Sequence, residues 1–238
     1  MIHEQNAVAG LTNRVLSRLA RRTFAAFPQA FPGRGEVSAI RSGTTSRHSA
    51  SSHERPPRCA NAFAPAGGGR VAGSQGAERA ASRALSQLSA DRRPEVYHQA
   101  GRDKDEPTRA GYAEYAIEAR VSDFIDDMAQ AYDWADLVVC RAGALTVAEL
   151  AAAAKPALFV PYPHAVDDHQ TANASALVEE GAASLMPQDE MSAAALAERL
   201  ATLLDPDTLA AMASQARRCA RLDAMERLAA GCMETGFE

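Results

Sequence analysis

Short apolar runs alternate with amphipathic segments from Gly73 to the end of the chain. The amphipathic segments carry apolar residues every three or four positions, which is the periodicity of a helix packed on a core. The predicted helices are 74–88, 112–119, 128–134, 146–153 and 170–180, followed by two or three Ala-rich helices. The predicted strands are 95–99, 137–140, 157–160 and 182–186, with a further connection at 121–125. Strands that alternate with helices predict an α/β protein with a parallel, doubly wound sheet.

The first 36 residues carry a basic amphipathic helix. Leu11, Val15 and Leu19 recur at helical spacing within residues 10–22, and four arginines make the rest of this surface basic. Residues 23–27 are typical of a short strand, which Pro28 ends. A different composition follows from residue 37 to residue 72, where Ser, Arg, Pro and Gly dominate and Val, Leu and Ile are scarce. That composition predicts a low-order segment.

Composition and charge exclude several classes of protein. The 238 residues, 47% of them hydrophobic, suit a globular protein of one or two domains. A net charge of −5 argues against a general nucleic-acid binder. Cys59, Cys140, Cys219 and Cys232 lack the spacing of a disulfide framework or a zinc site, which fits a reducing compartment. No apolar run approaches the ~20 residues of a membrane span, and we recognise no leader after Met1.

Four segments are expected to meet at one edge of the predicted sheet. Ligands of doubly wound sheets bind outside the carboxyl ends of the strands. Ser74, Ile125 and residues 141–146 and 161–170 each follow a strand, or a place where one is expected. We therefore look for the functional site among them.

The stretch TVAE, Thr146 to Glu149, has two interpretations. In the first it is a capping box, in which Thr146 accepts from the amide three residues on and Glu149 reaches back. In the second it is part of an anion cradle, where the amides of Ala144, Leu145 and Thr146 point at a diphosphate and Glu149 accepts from ribose hydroxyls. Gly143 would let a backbone approach such a ligand closely. The two interpretations are compatible only in part, because one carboxylate cannot fully serve both.

Each of the other motifs has a purely structural interpretation as well as a functional one. GSQGA at 73–77 is either a helix start or a second phosphate-facing loop with Ser74 as a donor. It lacks the register of a G-x-G-x-x-G dinucleotide fingerprint. Gln170 and Asn173 lie on one helical face and suit sugar hydroxyls, or they simply open a polar helix. Asp167, Asp168 and His169 are adjacent rather than spaced to converge on one ion, so we expect no metal. His3 in HEQN has no evident partner, which makes it a weak candidate for a base.

Together these motifs resemble the MurG family of bacterial glycosyltransferases. The stretches that carry the resemblance are IHEQNAVAGLTNR, GSQGA, FIDDMAQAYDWADLVVCRAGALTVAEL and PALFVPYPHAVDDHQTANA. The resemblance covers residues 2–36 and 73 to about 230. It implies a GT-B fold of two Rossmann-like domains, with the donor UDP-GlcNAc bound mainly by the C-terminal one. The implied reaction transfers N-acetylglucosamine from UDP to lipid I, giving lipid II for peptidoglycan, without a cofactor or a metal.

The resemblance also implies which residues bind the donor. By position, the backbone of Ile125 holds the uracil, the 144–146 segment faces the diphosphate, Glu149 binds the ribose and Gln170 reads the sugar hydroxyls. Asn173 matches the family pattern with a less defined role. The full implied donor set is Asn6, Ser74, Ile125, Ala144, Leu145, Thr146, Val147, Ala148, Glu149 and Gln170. The expected place of action is the cytoplasmic face of the bacterial inner membrane, as a peripheral protein whose rim includes Arg14 and Arg18.

Three departures from the family pattern lead to further expectations. The glycine-rich loop that carries the candidate base is not found, the Gly-Asn-Pro-Val-Arg segment does not follow Glu36, and only Val71 remains of the strand expected before GSQGA. We expect most of the N-terminal domain to be missing, so that residues 1–36 are its remnant, 37–72 are aberrant through a double frameshift, and 73–238 are the UDP-sugar domain. The last helix would return to the N-terminal part.

These departures predict little or no transferase activity for this polypeptide, and no residue is assigned as catalytic. Two other readings remain open from the sequence. One is a non-catalytic remnant that still binds UDP. The other, on fold alone, is a NAD-dependent oxidoreductase, which would need a G-x-G-x-x-G after a strand.

Overall fold

The computed structural model describes residues 1–37, 56–62, 74–163 and 165–236, without the side chains at 61–62, 74–79, 166, 225 and 235–236. Two parallel sheets organise this part of the chain. The smaller sheet has three strands in the order β1-β2-β3 and the larger has six in the order β6-β5-β4-β7-β8-β9. The strands are β1 Ile2–Glu4, β2 Thr23–Ala25, β3 Glu36–Val37, β4 Arg58–Ala62, β5 Glu95–Gln99, β6 Ala119–Ser122, β7 Leu137–Cys140, β8 Ala157–Phe159 and β9 Ala183–Leu185.

Helices connect the strands of both sheets. The described helices are α1 Leu11–Leu16, α2 Ser74–Gln87, α3 Asp105–Ala113, α4 Met128–Trp134, α5 Ala144–Ala152, α6 His169–Val178, α7 Ala193–Leu203, α8 Pro206–Cys219 and α9 Ala224–Gly236. Short 3-10 turns lie at Pro28–Ala30, Ala90–Arg92 and Val166–Asp168. The order of strands in the larger sheet reverses between β4 and β7, which is the switch point of a doubly wound fold. The predicted α/β class is confirmed.

The larger sheet is covered on both faces. Leu137 and Val139 of β7 pack in one buried cluster with residues of α2 and α7, whereas Val138 and Cys140 pack in the other with α5 and α6. Because both faces are buried, β7 reads as a continuous apolar run rather than an alternating one. This is the reason that the sequence predicts its bounds correctly.

The central strand β4 corrects an expectation. The sequence suggests that only Val71 remains of the strand before Ser74, but Arg58–Ala62 lies between β5 and β7, paired in parallel with both. Cys59 and Ala60 are each 5% exposed, so small side chains suffice here because the neighbouring strands supply the apolar bulk. Asp136 fixes the start of β4, since its carboxylate accepts from the Arg58 amide at 2.9 Å. Residues 38–55 and 63–73 lie outside the described part.

Two predicted helices are corrected as well. The helix expected at 112–119 is wrong: α3 ends at Ala113, Ala116 takes a left-handed φ of 51°, and residues 119–122 form strand β6. The expected helix at 10–22 is too long, since α1 ends at Leu16. Its remaining apolar residues stay in solvent, with Leu19 81% exposed. Periodicity alone could not tell this exposed face from a packed one.

The last helix contacts the N-terminal sheet. Glu234 of α9 pairs with Arg22, which also holds Glu36 of β3 at 2.6 Å. Cys232 Sγ lies 3.8 Å from Met1 Sδ. Gly231 faces the buried ring of Phe24 on β2: a Cβ there would lie 2.8 Å from Phe24 Cε2 and nearer still to Cζ. The helix can approach the sheet this closely because it has a glycine at the contact.

The same substitution at two helical glycines is expected to have opposite effects. Gly231→Ala forces Phe24 or α9 to move and should lower the free energy of unfolding by about 1–3 kcal/mol. Gly111→Ala on α3 places its Cβ only 3.7 Å from Ser82 Oγ, an ordinary contact, and should raise the free energy of unfolding by about 0.5–1 kcal/mol. Urea unfolding of both variants measures the difference. Equal shifts would contradict the close packing of α9.

Candidate functional site

The start of α5 lies at the switch point, directly after β7. Gly143 is the N-cap of α5 and has no side chain that could cap the helix. Within the described residues, the first amide of α5 that donates a hydrogen bond is that of Val147, to the Gly143 carbonyl at 2.9 Å. The amides of Ala144, Leu145 and Thr146 therefore point outward without an acceptor in this part of the chain. Unpaired amides and the positive end of the helix dipole make this edge suitable for an anion.

The capping-box interpretation of TVAE is wrong. Thr146 lies inside α5 rather than at its N-cap, and Glu149 does not reach back to the helix start. Instead, the hydroxyl of Tyr132 on α4 donates to Glu149 Oε2 at 3.0 Å. Oε1 of Glu149 makes no hydrogen bond within the described residues. The carboxylate is thus fixed through one oxygen and keeps the other for a ligand.

Burial raises the pKa of Glu149, and the hydrogen bond from Tyr132 counteracts part of that rise. A ligand hydroxyl donates a stronger, charge-assisted hydrogen bond to the ionised form than to the protonated one. Binding through Glu149 should therefore weaken as the pH falls through this raised pKa.

Asn173 joins the N-terminal loop to the start of α5. Its side chain is fully buried, and Oδ1 accepts from the Ala7 amide at 2.8 Å. Its Nδ2 donates to the Ala142 carbonyl at 3.2 Å and to Asn6 Oδ1 at 3.3 Å. Both donor hydrogens of the amide are thereby used within the protein. We call these contacts the Asn173 clamp: it brings Asn6 next to the β7–α5 connection.

Glu4 shapes the loop that carries Asn6. The Glu4 carboxylate accepts from the amides of Asn6 at 3.0 Å and Gly10 at 3.3 Å, and from Asn13 Nδ2 at 2.8 Å. Burial alone would raise the pKa of Glu4, but these hydrogen bonds outweigh it and lower the pKa below its usual value. No role was predicted for Glu4 from the sequence, although a carboxylate between His3 and Gln5 at a strand end was the available signal.

Glu4→Gln is expected to destabilise the protein in a pH-dependent way. A lowered pKa means that the contribution of Glu4 is present above its unfolded pKa and is lost as the pH falls through the folded value. The substitution should lower the free energy of unfolding by about 1–3 kcal/mol at pH 7, where charged hydrogen bonds are lost. The difference from the unsubstituted protein should shrink at pH 3. Urea unfolding at both pH values measures this, and a difference independent of pH would contradict it.

We call the space outside the carboxyl ends of the strands, beside the start of α5, the crevice. Arg141 organises its other side. Its guanidinium, 8% exposed as a residue, donates to the carbonyls of Val160 and Pro161 at 2.9 Å each and to Gln188 Oε1 at 2.6 Å. It also lies over the Tyr162 ring, 5.7 Å from its centroid. The Tyr162 amide in turn donates to Gln170 Oε1 at 2.9 Å, which fixes Gln170 at the start of α6. The role of Arg141 was not predicted, although an arginine directly after a buried strand was the available signal.

The remaining predicted residues lie on the same edge. Ile125 is 4% exposed and packs with Ala131 of α4, and its amide donates to Gln99 Oε1 at 3.0 Å. Leu145 is 43% exposed at the first turn of α5. Ser74 begins α2, and its side chain lies outside the description.

The acidic loop before α6 has an unusual backbone. Asp167 and Asp168 both take left-handed φ angles, 53° and 48°. Within the described residues, no group of three His, Cys, Asp or Glu side chains is arranged to hold a metal ion.

His3 Nε2 is buried without a hydrogen-bond partner, and burial lowers the pKa of His3.

A cavity of about 320 Å³ lies to the side of the crevice rather than at the strand ends. Phe27 and Pro28 of the N-terminal part, the flank of α5 and the end of α8 line it. Val147 and Ala148, both in the implied donor set, contribute to this lining. The Val147 amide already donates to Gly143, so these two residues are not placed like the outward amides at the start of α5.

A match to a known family identifies the part of the chain that forms most of the larger sheet. Residues 71–228 match the model of the glycosyltransferase family 28 C-terminal domain. This chain belongs to glycosyltransferase family 28. Family 28 membership overturns the alternative of a NAD-dependent oxidoreductase.

Relatives and solved structures agree with family 28. A protein from Chromohalobacter salexigens named UDP-N-acetylglucosamine--N-acetylmuramyl-(pentapeptide) pyrophosphoryl-undecaprenol N-acetylglucosamine transferase is 57% identical, over 98% of this chain and 65% of its own length. A protein of the same name from Pseudomonas fluorescens is 49% identical, over 82% of this chain and 54% of its own length. The crystal structure of Acinetobacter baumannii MurG is similar with a TM-score of 0.85 and 37% identity, over 98% of this chain and 67% of that one.

The chain thus spans between 54% and 65% of the length of these two curated relatives. The GT-B type of fold expected from the sequence is confirmed, since the similarity to the solved MurG structure covers 98% of this chain and the family 28 match covers the larger sheet from β5 to β9. Among the described helices, none is both long and apolar enough to cross a membrane.

Proposed function

We propose that this chain supplies the donor-binding part of an N-acetylglucosaminyltransferase that uses UDP-GlcNAc and lipid I to form lipid II. The observation that carries the proposal is the start of α5, where three outward amides precede Glu149 by one turn. A diphosphate at the amides places the ribose near the carboxylate. The names of the two curated relatives give the same donor and acceptor.

The remaining donor contacts follow from the crevice. Gln170, fixed through its oxygen by the Tyr162 amide, keeps its NH2 group for a sugar hydroxyl. The Asn173 clamp brings Asn6 next to the β7–α5 connection. Ile125 lies in the connection between β6 and α4, and because its amide donates to Gln99 the proposed contact with the uracil uses its carbonyl. Ser74 begins α2 at the switch point, where its hydroxyl and amide suit the phosphates.

The proposed reaction is an inverting single displacement. A base removes the proton of the acceptor 4-hydroxyl, its oxygen attacks the anomeric carbon, and UDP leaves. The amides of Ala144, Leu145 and Thr146 stabilise the charge that develops on the departing diphosphate. The base is not assigned to a residue of this chain.

Calorimetric titration tests donor binding. We expect UDP and UDP-GlcNAc to bind, and NAD to give no heat. Gln170→Ala should weaken UDP-GlcNAc binding about 5- to 20-fold, as for the loss of one or two hydrogen bonds, and change UDP binding little. Ser175→Ala on the same helix is the matched control. A cooperatively melting protein that gives no heat with UDP would overturn the proposal.

A transfer assay addresses the second half of the reaction. The sequence predicts binding with little or no transfer by this polypeptide. Transfer of GlcNAc from UDP-GlcNAc to a lipid I analogue would show that expectation to be wrong while supporting the family reaction. UDP binding without transfer fits the reading of a UDP-binding remnant.

The α1 region is proposed to contact the cytoplasmic face of the bacterial inner membrane. Leu11 is 72% exposed and Leu19 81%, and Arg14 and Arg18 lie between them. Exposed leucines with neighbouring arginines suit an anionic lipid surface. We expect the protein to sediment with phosphatidylglycerol vesicles, and Leu19→Gln to reduce the bound fraction several-fold. Equal sedimentation with neutral phosphatidylcholine vesicles would contradict the electrostatic part.

A further inference from the structure

Tyr132 is a buried polar group to which neither the sequence nor the family resemblance gives a role. It lies on α4, whose start is capped by Asp127 through a hydrogen bond from the Gln130 amide at 2.9 Å. The residue is 2% exposed, and its hydroxyl donates to Glu149 Oε2 at 3.0 Å. A hydroxyl inside a core needs a partner, and the described structure gives it the carboxylate of Glu149.

This contact determines which part of Glu149 is presented to a ligand. The Glu149 side chain has three rotatable bonds and is only partly buried, so without a partner it could take several rotamers. The hydrogen bond from Tyr132 fixes Oε2 of Glu149 and leaves Oε1 for donors in the crevice. Because burial raises the pKa of the tyrosine, the hydroxyl stays protonated and donates to the carboxylate. A fixed acceptor loses less conformational entropy on binding than a mobile one.

The helix that carries Tyr132 also supports Ile125. Ala131, the neighbour of Tyr132, packs in one buried cluster with Ile125 and Tyr97. Trp134 of α4 meets Tyr97 edge-on, with ring centroids 6.0 Å apart. One rigid helix therefore contacts both the residue expected at the uracil and the residue expected at the ribose. The distance between these two contacts is set by adjacent residues of α4.

We propose that Tyr132 is a positioning residue for ribose recognition, which holds Glu149 so that the site distinguishes ribose from a sugar without the 2′- and 3′-hydroxyls. The inference rests on the proposed function, because it assumes that UDP binds at α5. It goes beyond that function by assigning the discrimination of the ribose to a residue that does not touch the ligand.

The test compares UDP with 2′,3′-dideoxy-UDP by calorimetry. The unsubstituted protein should bind UDP about 10- to 100-fold more tightly, as for hydrogen bonds to a charged group. Tyr132→Phe keeps the ring and removes the hydroxyl. We expect it to weaken UDP binding about 5- to 20-fold and to leave dideoxy-UDP binding nearly unchanged, so that the discrimination shrinks. The fall of UDP affinity at low pH should move to higher pH, since Glu149 loses the hydrogen bond that lowers its pKa.

Tyr112→Phe is the matched control. Tyr112 is also a buried tyrosine, 1% exposed, and its hydroxyl lies 2.8 Å from His98 Nδ1 on the other face of the sheet. Its loss should lower stability by a similar amount without changing the ratio of the two affinities. Tyr132→Phe in the background of Glu149→Gln gives a second measurement, where we expect almost no further loss of UDP affinity.

The outcomes separate the two proposals. An unsubstituted protein that does not bind UDP overturns the proposed function and this inference together. Binding of UDP without preference over dideoxy-UDP overturns the role of Glu149. A preference that Tyr132→Phe leaves unchanged, or that Tyr112→Phe reduces equally, overturns the role of Tyr132 alone.

Discussion

Glu149→Gln is expected to weaken UDP binding about 10- to 100-fold while leaving the protein equally stable or more stable. The amide keeps an acceptor for Tyr132 but loses the charge that attracts ribose hydroxyls, and such charged hydrogen bonds contribute about 1.5–3 kcal/mol. The gain in stability follows from the raised pKa of Glu149. Since the fold disfavours the ionised carboxylate at neutral pH, a neutral side chain removes that cost.

Calorimetry and thermal melting at pH 7 measure the two effects separately. Glu118→Gln, an exposed glutamate after α3, is the control and should change neither quantity. The pH profile gives an independent check, because UDP affinity should fall with pH in the unsubstituted protein and stay level in Glu149→Gln. A loss of stability together with unchanged UDP affinity would mean that Glu149 is a structural residue only.

Asn173→Leu is expected to cause the largest loss of stability. Leucine keeps the volume but leaves the Ala7 amide and the Ala142 carbonyl without their partner, and each unpaired buried group costs about 1–3 kcal/mol. We therefore expect the free energy of unfolding to fall by about 2–6 kcal/mol. The clamp also holds Asn6, so UDP-GlcNAc affinity should fall more than UDP affinity.

Urea unfolding and calorimetry of Asn173→Leu are compared with Ser175→Ala. Ser175 is on the same helix and donates only to the Thr171 carbonyl at 3.1 Å, so its loss should cost less than about 1 kcal/mol. A change at Asn173 as mild as that at Ser175 would contradict the clamp. An equal loss of affinity for UDP and UDP-GlcNAc would place its effect on the diphosphate edge rather than on Asn6.

The sequence predicted those elements whose own residue pattern reflects how they are buried in the fold. Strand β7 is buried on both faces and therefore reads as four apolar residues, and α4 shows its period over seven residues. Strand β4 escaped prediction because Cys59 and Ala60 are small and the neighbouring strands fill the space around them. The end of α1 escaped for the opposite reason, since Leu19 has the spacing of a core residue but no core beside it.

The sequence predicted the groups expected to contact a ligand, but not the residues that hold those groups in place. The outward amides and Glu149 follow from a helix start after a buried strand, and these the sequence located. The partners of Glu149 and Asn173 come from elements distant in the chain: Tyr132 is 17 residues from Glu149, and Ala7 is 166 from Asn173. No local pattern contains such pairs. The motif TVAE could even be read as a capping box until Tyr132 was seen to bind its carboxylate.

The packing of α9 on the N-terminal strands has a consequence for synthesis of the chain. Met1 and Cys232 are in contact although 231 residues separate them. On the ribosome, the strand with Phe24 is made about 200 residues before the helix that covers it. Until then Phe24 lacks the helix that covers it, and surface of this kind promotes aggregation. The three N-terminal strands therefore complete their packing only after α9 has been made, while the larger sheet can form beforehand.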